Sequence, residues 1–239
     1  MDALALSIVI PAYNEEARIG GALTATRNYL DRRGLACEVI VVDDGSTDRT
    51  RKIVEEHAIA DPRIKMIRLQ PNRGKGAAVR AGMLASRGQR ALFMDADLAT
   101  PLEELEKLEQ ALDGGAAIAI GSRALDRTKV LVRQHPLREA MGRSFNLLVR
   151  GLGALDSIPD TQCGFKLFSR RAVEVLFREA TIDRFAFDVE LLVLARGRFA
   201  IAQVPVAWRH VDQSKVSPVR DAMRMAWDLI KLRMRRSRG

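Results

Sequence analysis

Short apolar runs alternate with amphipathic stretches of helical length through the first half of the sequence, and this alternation constrains the fold more than any other feature. The runs that predict strands cover residues 6–11, 37–43, 64–69, 90–95 and 116–122. The stretches that predict helices cover residues 15–32, 48–61, 74–87 and 101–112. This order predicts an α/β fold of the Rossmann-like kind, with a mostly parallel sheet flanked by helices on both faces.

The second half of the chain follows this pattern less strictly. Its predicted elements are a helix over 136–155, a strand over 162–169, helices over 170–177 and 188–196, and a last strand over 199–208. A chain of 239 residues can form one large domain, and no Gly/Ser-rich linker divides it. We therefore expect the second half to pack onto the first.

Polar side chains follow three of the predicted strands directly. Tyr13 and Glu15 follow the first strand, Asp43 and Asp44 end the second, and Asp95 ends the fourth. Because the carboxyl ends of parallel strands meet at one edge of a sheet, a mononucleotide site is predicted there. Tyr13 offers an aromatic face for a base, and Glu15 can accept hydrogen bonds from base or ribose.

The Asp95-Ala96-Asp97 sequence comes directly after an apolar strand. In extended backbone, residues two apart place their side chains on the same side, so both carboxylates can bind one cation. Mg²⁺ and Mn²⁺ prefer oxygen ligands and commonly bridge protein carboxylates to phosphates. We therefore predict a Mg²⁺ or Mn²⁺ site for a nucleoside diphosphate. A solvated pair of loop aspartates is the alternative.

Asp43 and Asp44 allow two interpretations. Gly45 beside them permits a tight turn, so both aspartates could serve only to cap and turn the chain. The interpretation adopted assigns Asp44 and the neighbouring Val42 to the nucleotide, with Asp43 as a further candidate. The segment 73–76 lacks the spacing of a P-loop and predicts a helix start; Lys75 within it is counted among the nucleotide-binding residues.

Several of these segments together resemble glycosyltransferase family two, whose members have the GT-A fold. They are VIPAYNEE at 9–16, VVDDGSTD at 41–48, NRGKG at 72–76 and DAD at 95–97. Three later segments are similar to the dolichyl-phosphate β-glucosyltransferase branch of the family: GSR at 121–123, DTQCGFKLF at 160–168 and FAFDVELL at 185–192. The resemblance covers nearly the whole chain.

The resemblance implies an inverting transfer of glucose from UDP-glucose to a polyprenyl phosphate of the dolichyl type. By the family pattern, the nucleoside is held by Pro11, Tyr13, Glu15 and Asp44, and the metal-bound diphosphate by Asp95 and Asp97. Mannosyl relatives place Gln two residues after the second aspartate. This chain has Ala99 there, which favours the glucosyl branch.

The acceptor phosphate is expected to face basic side chains of the second half. The resemblance assigns it to Arg123 with Arg138 or Arg143, and Lys215 is a further candidate. A phosphate monoester, with a second pKa near ~6, already carries a nucleophilic oxyanion at neutral pH, so no base is required. Asp188 is the candidate base if the acceptor is a hydroxyl; a carboxylate at a helix N-terminus is the alternative. The expected catalytic residues are Asp97, Arg123 and Asp188.

Positive charge is concentrated late in the chain. The net charge is +9, and residues 209–239 carry nine basic against three acidic residues, while residues 123–150 carry seven against two. This distribution predicts an anionic partner: a phosphorylated substrate, a membrane surface or a nucleic acid. With the resemblance, it divides the chain into a nucleotide-sugar-binding half over 1–122, an acceptor-side half over 123–218 and a basic C-terminal helix over 219–239.

Apolar and basic residues fall on different faces of the predicted C-terminal helix. This basic amphipathic helix could lie on an anionic membrane surface or pack on the catalytic domain with a solvated basic face. The sequence shows neither a signal peptide nor an apolar run of about 18 residues, and its two cysteines form no CxxC motif. We expect a cytoplasmic protein, peripheral on the cytoplasmic face of a membrane.

Two alternatives remain at this point. The same fold could use a soluble or a protein acceptor. A nucleic-acid-binding protein is suggested by the isoelectric point near 10.1, but such proteins interleave aromatic with basic residues or present a known reading helix. The basic residues here border the expected acceptor side, so no nucleic-acid partner is predicted.

Overall fold

A computed structural model of the chain describes residues 4–126, 130–132 and 158–209, together with the helical positions 224, 225, 227, 228, 232 and 234. The helix predicted over 136–155 lies outside the described residues. So do three of the residues predicted to bind the acceptor phosphate: Arg138, Arg143 and Lys215.

Among the described residues, seven strands form one sheet, and a further pair of short strands lies apart from it. The strands of the large sheet are β1 (Leu6–Ala12), β2 (Cys37–Asp43), β3 (Ile64–Arg68), β4 (Arg90–Met94), β5 (Ile118–Ser122), β7 (Phe165–Ser169) and β8 (Ile201–Pro205). The short pair is β6 (Val130–Val132) and β9 (Trp208–Arg209). The order in the large sheet is β3-β2-β1-β4-β7-β5-β8.

All neighbours in the large sheet are parallel except at β7, which runs antiparallel to both β4 and β5. The prediction of a mostly parallel sheet is confirmed. A strand from the second half of the chain thus lies between two strands of the first half. The last predicted strand is in fact two strands, β8 and β9, because the chain leaves the sheet after Pro205 and then pairs with β6.

Between residues 4 and 209, the described part of the chain has six helices that connect and cover the strands. They are α1 (Ile19–Arg33), α2 (Thr50–Ala60), α3 (Lys75–Ala85), α4 (Leu105–Asp113), α5 (Arg170–Glu179) and α6 (Phe187–Ala195), and a 3₁₀ turn at Leu102–Glu104 precedes α4. Gly34 ends α1 in the left-handed conformation, which glycine adopts without steric cost. Ser169 caps α5 by accepting a hydrogen bond from the backbone N–H of Ala172.

Two hydrophobic clusters lie on the two faces of the sheet. Val9 and Phe93 belong to the cluster under α3, α5 and α6, whereas their neighbours Ile8 and Leu92 belong to the cluster under α1 and α4. Successive side chains of a strand point to opposite faces, so strands with two covered faces are apolar at most positions. This explains why the strands were recognisable as continuous apolar runs.

A buried carboxylate joins strands at the sheet edge opposite the polar clusters. Glu38 on β2 accepts hydrogen bonds from Ser7 Oγ at 2.8 Å, Lys65 Nζ at 2.7 Å and the backbone N–H of Arg87 at 2.7 Å. Burial alone would raise the pKa of Glu38, but these hydrogen bonds outweigh burial and hold that pKa below its usual value. Glu38 therefore stabilises the amino ends of the strands.

Candidate active site

The loops that follow β1 and β2 are joined by hydrogen bonds. The backbone N–H of Asn14 donates to Ser46 Oγ at 2.9 Å, and that of Thr47 donates to Asn14 Oδ1 at 2.8 Å. Asn14 has a φ of 53°, a left-handed conformation that asparagine tolerates better than most residues. Since Tyr13 and Glu15 flank Asn14, this turn places both of them at the carboxyl edge of the sheet. The first two predicted clusters therefore meet.

The accessible side chains of this edge include two that were predicted to bind the nucleoside. Tyr13 is 40% exposed. The carboxylate of Glu15 accepts two hydrogen bonds from Arg18, at 2.6 and 2.8 Å, which fixes its orientation. Pro11 is partly buried near the end of β1. Val42 differs: its side chain is fully buried and packs against Gly82 on α3, which leaves it no surface for a nucleotide contact.

Asp44 uses its carboxylate to hold the loop before α3. Its two oxygens accept hydrogen bonds from the backbone N–H groups of Arg73 at 2.8 Å and Gly74 at 2.7 Å. Burial raises the pKa of Asp44 despite these two hydrogen bonds. The interpretation of Asp44 as a turn residue thus accounts for these contacts, and its nucleotide role stays a prediction.

Asp43 is also buried in the turn after β2. Its Oδ1 accepts a hydrogen bond from the backbone N–H of Ser46 at 2.9 Å. Its Oδ2 lies 3.9 Å from Arg68 and accepts no hydrogen bond from the described residues. These contacts fit a turn residue; a nucleotide contact by Asp43 stays a prediction.

Asp95 and Asp97 follow β4 and lie beside the cation of Lys75. Lys75 begins α3, as predicted, and its Nζ lies 2.6 Å from Asp95 Oδ1. The carboxylate of Asp95 packs on Gly164: a Cβ at that position would lie 2.0 Å from Asp95 Oδ2. Asp97 Oδ1 accepts the backbone N–H of Ala99 at 3.0 Å. Contacts from α3, from the residue before β7 and from the loop after β4 therefore position this pair.

The electrostatics of Asp97 show that the strand-end loops converge. Burial is the largest cause of its raised pKa, and the negative charge of Asp95 adds to it. The positive charges of Lys75 and Arg18 oppose this rise. Arg18 follows β1 and Lys75 follows β3, so side chains from three strand ends act on one carboxylate.

The two aspartates fit a divalent cation. The negative charge of Asp95 adds to the raised pKa of Asp97, so a positive ion close to both carboxylates is favourable, and oxygen is the donor that Mg²⁺ and Mn²⁺ prefer. Within the described residues, no group of three or more His, Cys, Asp or Glu side chains can hold a metal ion. The remaining ligands would therefore be phosphate oxygens and water, as is usual for Mg²⁺ at nucleotide sites.

Beneath the aspartates lies a buried ion pair that the sequence did not identify. Lys166 on β7 pairs with Asp188 on α6, and its Nζ also donates to the carbonyl of Cys163 at 2.8 Å. The ammonium groups of Lys75 and Lys166 lie 5.4 and 5.7 Å from the centroid of the Phe93 ring. A lysine inside an apolar strand was the available signal, since a buried lysine requires a partner.

Asp188 is therefore a buried and paired carboxylate. Burial raises its pKa, while the positive charges of Lys166 and Lys75 act in the opposite direction. Asp188 is also the second residue of α6, so the alternative interpretation, a carboxylate at a helix N-terminus, describes its position. The predicted role of Asp188 as a base for a hydroxyl acceptor stays untested.

Arg123 is held in place by Asp160. Its backbone N–H, Nε and Nη2 all donate to the Asp160 carboxylate, at 2.9, 2.8 and 2.7 Å. Burial would lower the pKa of Arg123, but Asp160 outweighs burial and raises it, and the negative charge of Asp95 contributes. Its guanidinium also lies 5.4 Å from the Trp208 ring centroid. Arg123 thus stands within electrostatic reach of the Asp95 carboxylate.

A mostly parallel sheet with helices on both faces and an Asp-X-Asp pair at its carboxyl edge is the arrangement expected of a GT-A glycosyltransferase, and ligands of such sheets bind at that edge. Residues 7–177 match the family described as Glycosyl transferase family 2. The chain belongs to that family and is a glycosyltransferase.

Two named dolichyl-phosphate glucosyltransferases are similar to this chain over most of its length. "Dolichyl-phosphate beta-glucosyltransferase ALG5C" of Trichomonas vaginalis is 41% identical, over 95% of this chain and 70% of that protein. The dolichyl-phosphate beta-glucosyltransferase of Homo sapiens is 38% identical, over 96% of this chain and 75% of that protein.

Among solved structures, glucosyl-3-phosphoglycerate synthase from Mycobacterium tuberculosis, in complex with Mn²⁺, UDP-glucose and phosphoglyceric acid, superposes with a TM-score of 0.69. It is 24% identical, and the match covers 98% of this chain and 79% of that chain. This likeness supports the GT-A fold.

Proposed function

We propose that this glycosyltransferase moves glucose from UDP-glucose to a polyprenyl phosphate and inverts the anomeric carbon. The relatives named dolichyl-phosphate beta-glucosyltransferase support the glucosyl group and the lipid phosphate. The synthase complex with Mn²⁺ and UDP-glucose supports the donor and the metal. The observation that carries the proposal is the convergence of Lys75, Asp95 and Asp97 at the carboxyl edge of the sheet.

On the donor side, Tyr13 and Glu15 would bind the base and ribose, and Lys75 would bind the diphosphate. Asp95 and Asp97 would hold Mg²⁺ or Mn²⁺, which when bound neutralises the charge that develops on the leaving diphosphate. The residues 1–122 would form this donor half. Residues 123–218 would form the acceptor half.

On the acceptor side, Arg123 would bind the phosphate, with Arg138, Arg143 or Lys215 as further cations. An oxyanion of this phosphate attacks the anomeric carbon while the bond from that carbon to the UDP oxygen breaks. A single displacement of this kind inverts the carbon. Asp160 keeps the Arg123 guanidinium oriented, so this side chain loses little conformational freedom when the acceptor binds.

The surroundings of Asp188 favour a phosphate acceptor over a hydroxyl. A general base must reach the proton that it removes, whereas Asp188 is buried and engaged by Lys166. A phosphate monoester needs no such base because it is already ionised at neutral pH.

The C-terminal helix would bring the protein to the lipid. None of the described helices combines the length and apolar composition that a membrane crossing requires. Met225 is buried in the core and Leu232 packs against it, seven positions further on the same helix face. Trp227 is 58% and Met234 51% exposed on another face, and Arg224 is exposed beside them. This face fits an anionic membrane surface on the cytoplasmic side.

A binding experiment tests the membrane role without disturbing the core. The double variant Trp227→Ser/Met234→Ser should lose binding to vesicles that contain anionic lipid. Ile59→Ser is the matched control, because Ile59 is 87% exposed on α2 and lies outside the C-terminal helix. Binding that survives in the double variant refutes the role of this face.

A donor screen tests the reaction itself. The full chain is incubated with radiolabelled UDP-glucose, UDP-galactose or GDP-mannose and with polyprenyl phosphate, 3-phosphoglycerate or a test protein as acceptor, with and without a chelator. We expect lipid-soluble label from UDP-glucose that disappears with the chelator. Label transferred to 3-phosphoglycerate or to protein instead would show that the acceptor is a soluble molecule or a protein. Label that persists with the chelator contradicts the metal assignment.

A further inference from the structure

The ammonium group of Lys75 forms an ion pair with Asp95, one of the two carboxylates that are assigned to the metal. Lys75 Nζ lies 2.6 Å from Asp95 Oδ1, the distance of a strong charge-assisted hydrogen bond. The other oxygen of Asp95 is packed on the backbone of Gly164. A divalent ion can therefore take Asp95 Oδ1 fully only if the ammonium group gives up this contact.

The backbone of Lys75 is fixed, so only its side chain can move. A Cβ on the adjacent Gly76 would lie 2.5 Å from the carbonyl oxygen of Ile182, and one on Gly74 would lie 2.6 Å from that of Asp183. The start of α3 is thus in close contact with the segment that precedes α6. The side chain of Lys75 keeps a quarter of its surface exposed.

The surroundings of Lys75 keep its ammonium group in the site when it leaves Asp95. The Phe93 ring lies 5.4 Å from Nζ and attracts a cation through its face. The negative charges of Asp95, Asp188 and Asp97 all raise the pKa of Lys75, against the burial that would lower it. Asp188 itself is held by Lys166 and cannot replace Asp95 as a full partner.

We propose that Lys75 is an internal counter-ion of the metal site: it neutralises Asp95 before the ligands bind and moves to the donor's diphosphate when the metal takes Asp95. This inference rests on the proposed function, because it requires a metal at Asp95 and Asp97. Metal alone then binds weakly, since it displaces Lys75 without giving it a new anion. Metal and a nucleoside diphosphate bind together strongly, since the diphosphate supplies that anion.

Mn²⁺ binding without nucleotide measures the competition directly. The full chain is titrated with Mn²⁺ and the free ion is followed by electron paramagnetic resonance. We expect Lys75→Gln to bind Mn²⁺ roughly tenfold to a hundredfold more tightly than the wild type, the effect of one charge at salt-bridge distance on a carboxylate. Lys75→Arg keeps the charge and should bind as weakly as the wild type.

A charge-matched control separates the local effect from the net charge. Lys52 lies on α2, and its side chain is 75% exposed with a loose contact of 4.0 Å to Glu56. Lys52→Gln should leave Mn²⁺ affinity unchanged. Circular dichroism and the melting temperature of each variant show that it is folded before the titration is interpreted.

A second titration measures the coupling between metal and diphosphate. In the wild type, saturating UDP should tighten Mn²⁺ binding strongly, and in Lys75→Gln the same UDP should tighten it much less. Equal coupling in both proteins, or Mn²⁺ binding that is unchanged or weakened in Lys75→Gln without nucleotide, overturns the counter-ion role.

The variant Asp97→Asn distinguishes the two possible failures. If Mn²⁺ binding requires Asp97 but does not respond to Lys75→Gln, the metal site stands and the counter-ion proposal alone is refuted. If Mn²⁺ binding in the wild type and in Lys75→Gln does not depend on Asp97, the metal assignment of the proposed function fails, and the counter-ion proposal fails with it.

Discussion

A methyl group added at Gly164 should disable the site without changing any charge. The new Cβ would lie 2.0 Å from Asp95 Oδ2 and 2.3 Å from Asp95 Cγ. Carbon and oxygen atoms that are not bonded need about 3.3 Å or more, so the carboxylate would have to move by more than about 1 Å. The backbone of Gly164 is outside the left-handed region, so alanine adds only this steric conflict.

A displacement of about 1 Å in a catalytic group costs on the order of a hundredfold in rate. We therefore expect Gly164→Ala to lower the kcat for lipid-linked glucose by roughly that factor. The assay is initial-rate transfer of radiolabelled glucose at saturating donor and acceptor, with Mn²⁺ affinity measured in parallel. Mn²⁺ affinity should fall together with kcat because the same carboxylate moves.

Gly21→Ala is the matched control for this substitution. Gly21 lies in α1, where an added Cβ meets nothing within 4 Å. Alanine there should stabilise the helix by about 0.5–1 kcal/mol and leave kcat unchanged. If Gly164→Ala keeps the activity of the wild type in a folded protein, Asp95 is not required in its observed position and the assignment of the site is refuted.

Other substitutions test separate parts of the site and of the fold. Asp97→Asn should nearly abolish turnover at any Mn²⁺ concentration, and full activity would contradict its metal role. Arg123→Ala and Asp160→Asn should both raise the KM for polyprenyl phosphate more than that for UDP-glucose, since Asp160 positions the Arg123 guanidinium; an equal rise in both KM values argues against acceptor binding. Lys166→Met should destabilise the fold by about 3–5 kcal/mol in urea unfolding because it leaves Asp188 buried without its partner. The double variant Lys166→Met/Asp188→Leu should recover much of this loss. A double variant that is no more stable than the single variant contradicts this explanation. The pKa of Glu38 is lowered in the folded state, so its contribution to stability is present above the unfolded pKa of about 4.3 and is lost as the pH falls through the folded pKa. Glu38→Gln should therefore reduce the free energy of unfolding at pH 7 and make that free energy fall less steeply in acid. A pH profile of stability that is unchanged by the substitution would refute this.

The strands β1, β2, β4 and β5 could be predicted because each is buried on both faces. The edge strand β3 differs, because Lys65 and Arg68 on it are exposed. The five predicted runs correspond to β1–β5 with bounds that differ by at most two residues. Because these strands were expected to be parallel, the polar residues that follow them could be predicted to lie at one edge of the sheet. The antiparallel insertion of β7 between β4 and β5 could not be predicted, because strand pairing over such a long separation is not encoded in local periodicity.

Site residues could be predicted where a short sequence motif contains the groups that act together. Ion pairs between residues that are distant in the sequence were missed. The spacing of Asp95 and Asp97, directly after an apolar strand, predicts a cation site. Lys166 and Asp188 are separated by 22 residues, and Arg123 and Asp160 by 37, so neither pair is visible as a pattern.

A sequence pattern also does not show which atoms of a residue remain available to bind a ligand. The carboxylate of Asp44 binds backbone N–H groups of the loop before α3, and the side chain of Val42 lies in the core. Both residues stand in a segment typical of nucleotide binding. Which of their atoms remain available at the edge depends on the packing of α3, which the local sequence does not specify.

Diffraction from crystals grown with Mn²⁺ and UDP tests the central claim most directly, because the anomalous signal locates the metal. We predict one Mn²⁺ bound by Asp95 and Asp97 and by diphosphate oxygens, with the uracil near Tyr13 and with Lys75 turned from Asp95 to the diphosphate. UDP bound away from the carboxyl edge of β1, β2 and β4, or Mn²⁺ that contacts neither aspartate, would contradict the account.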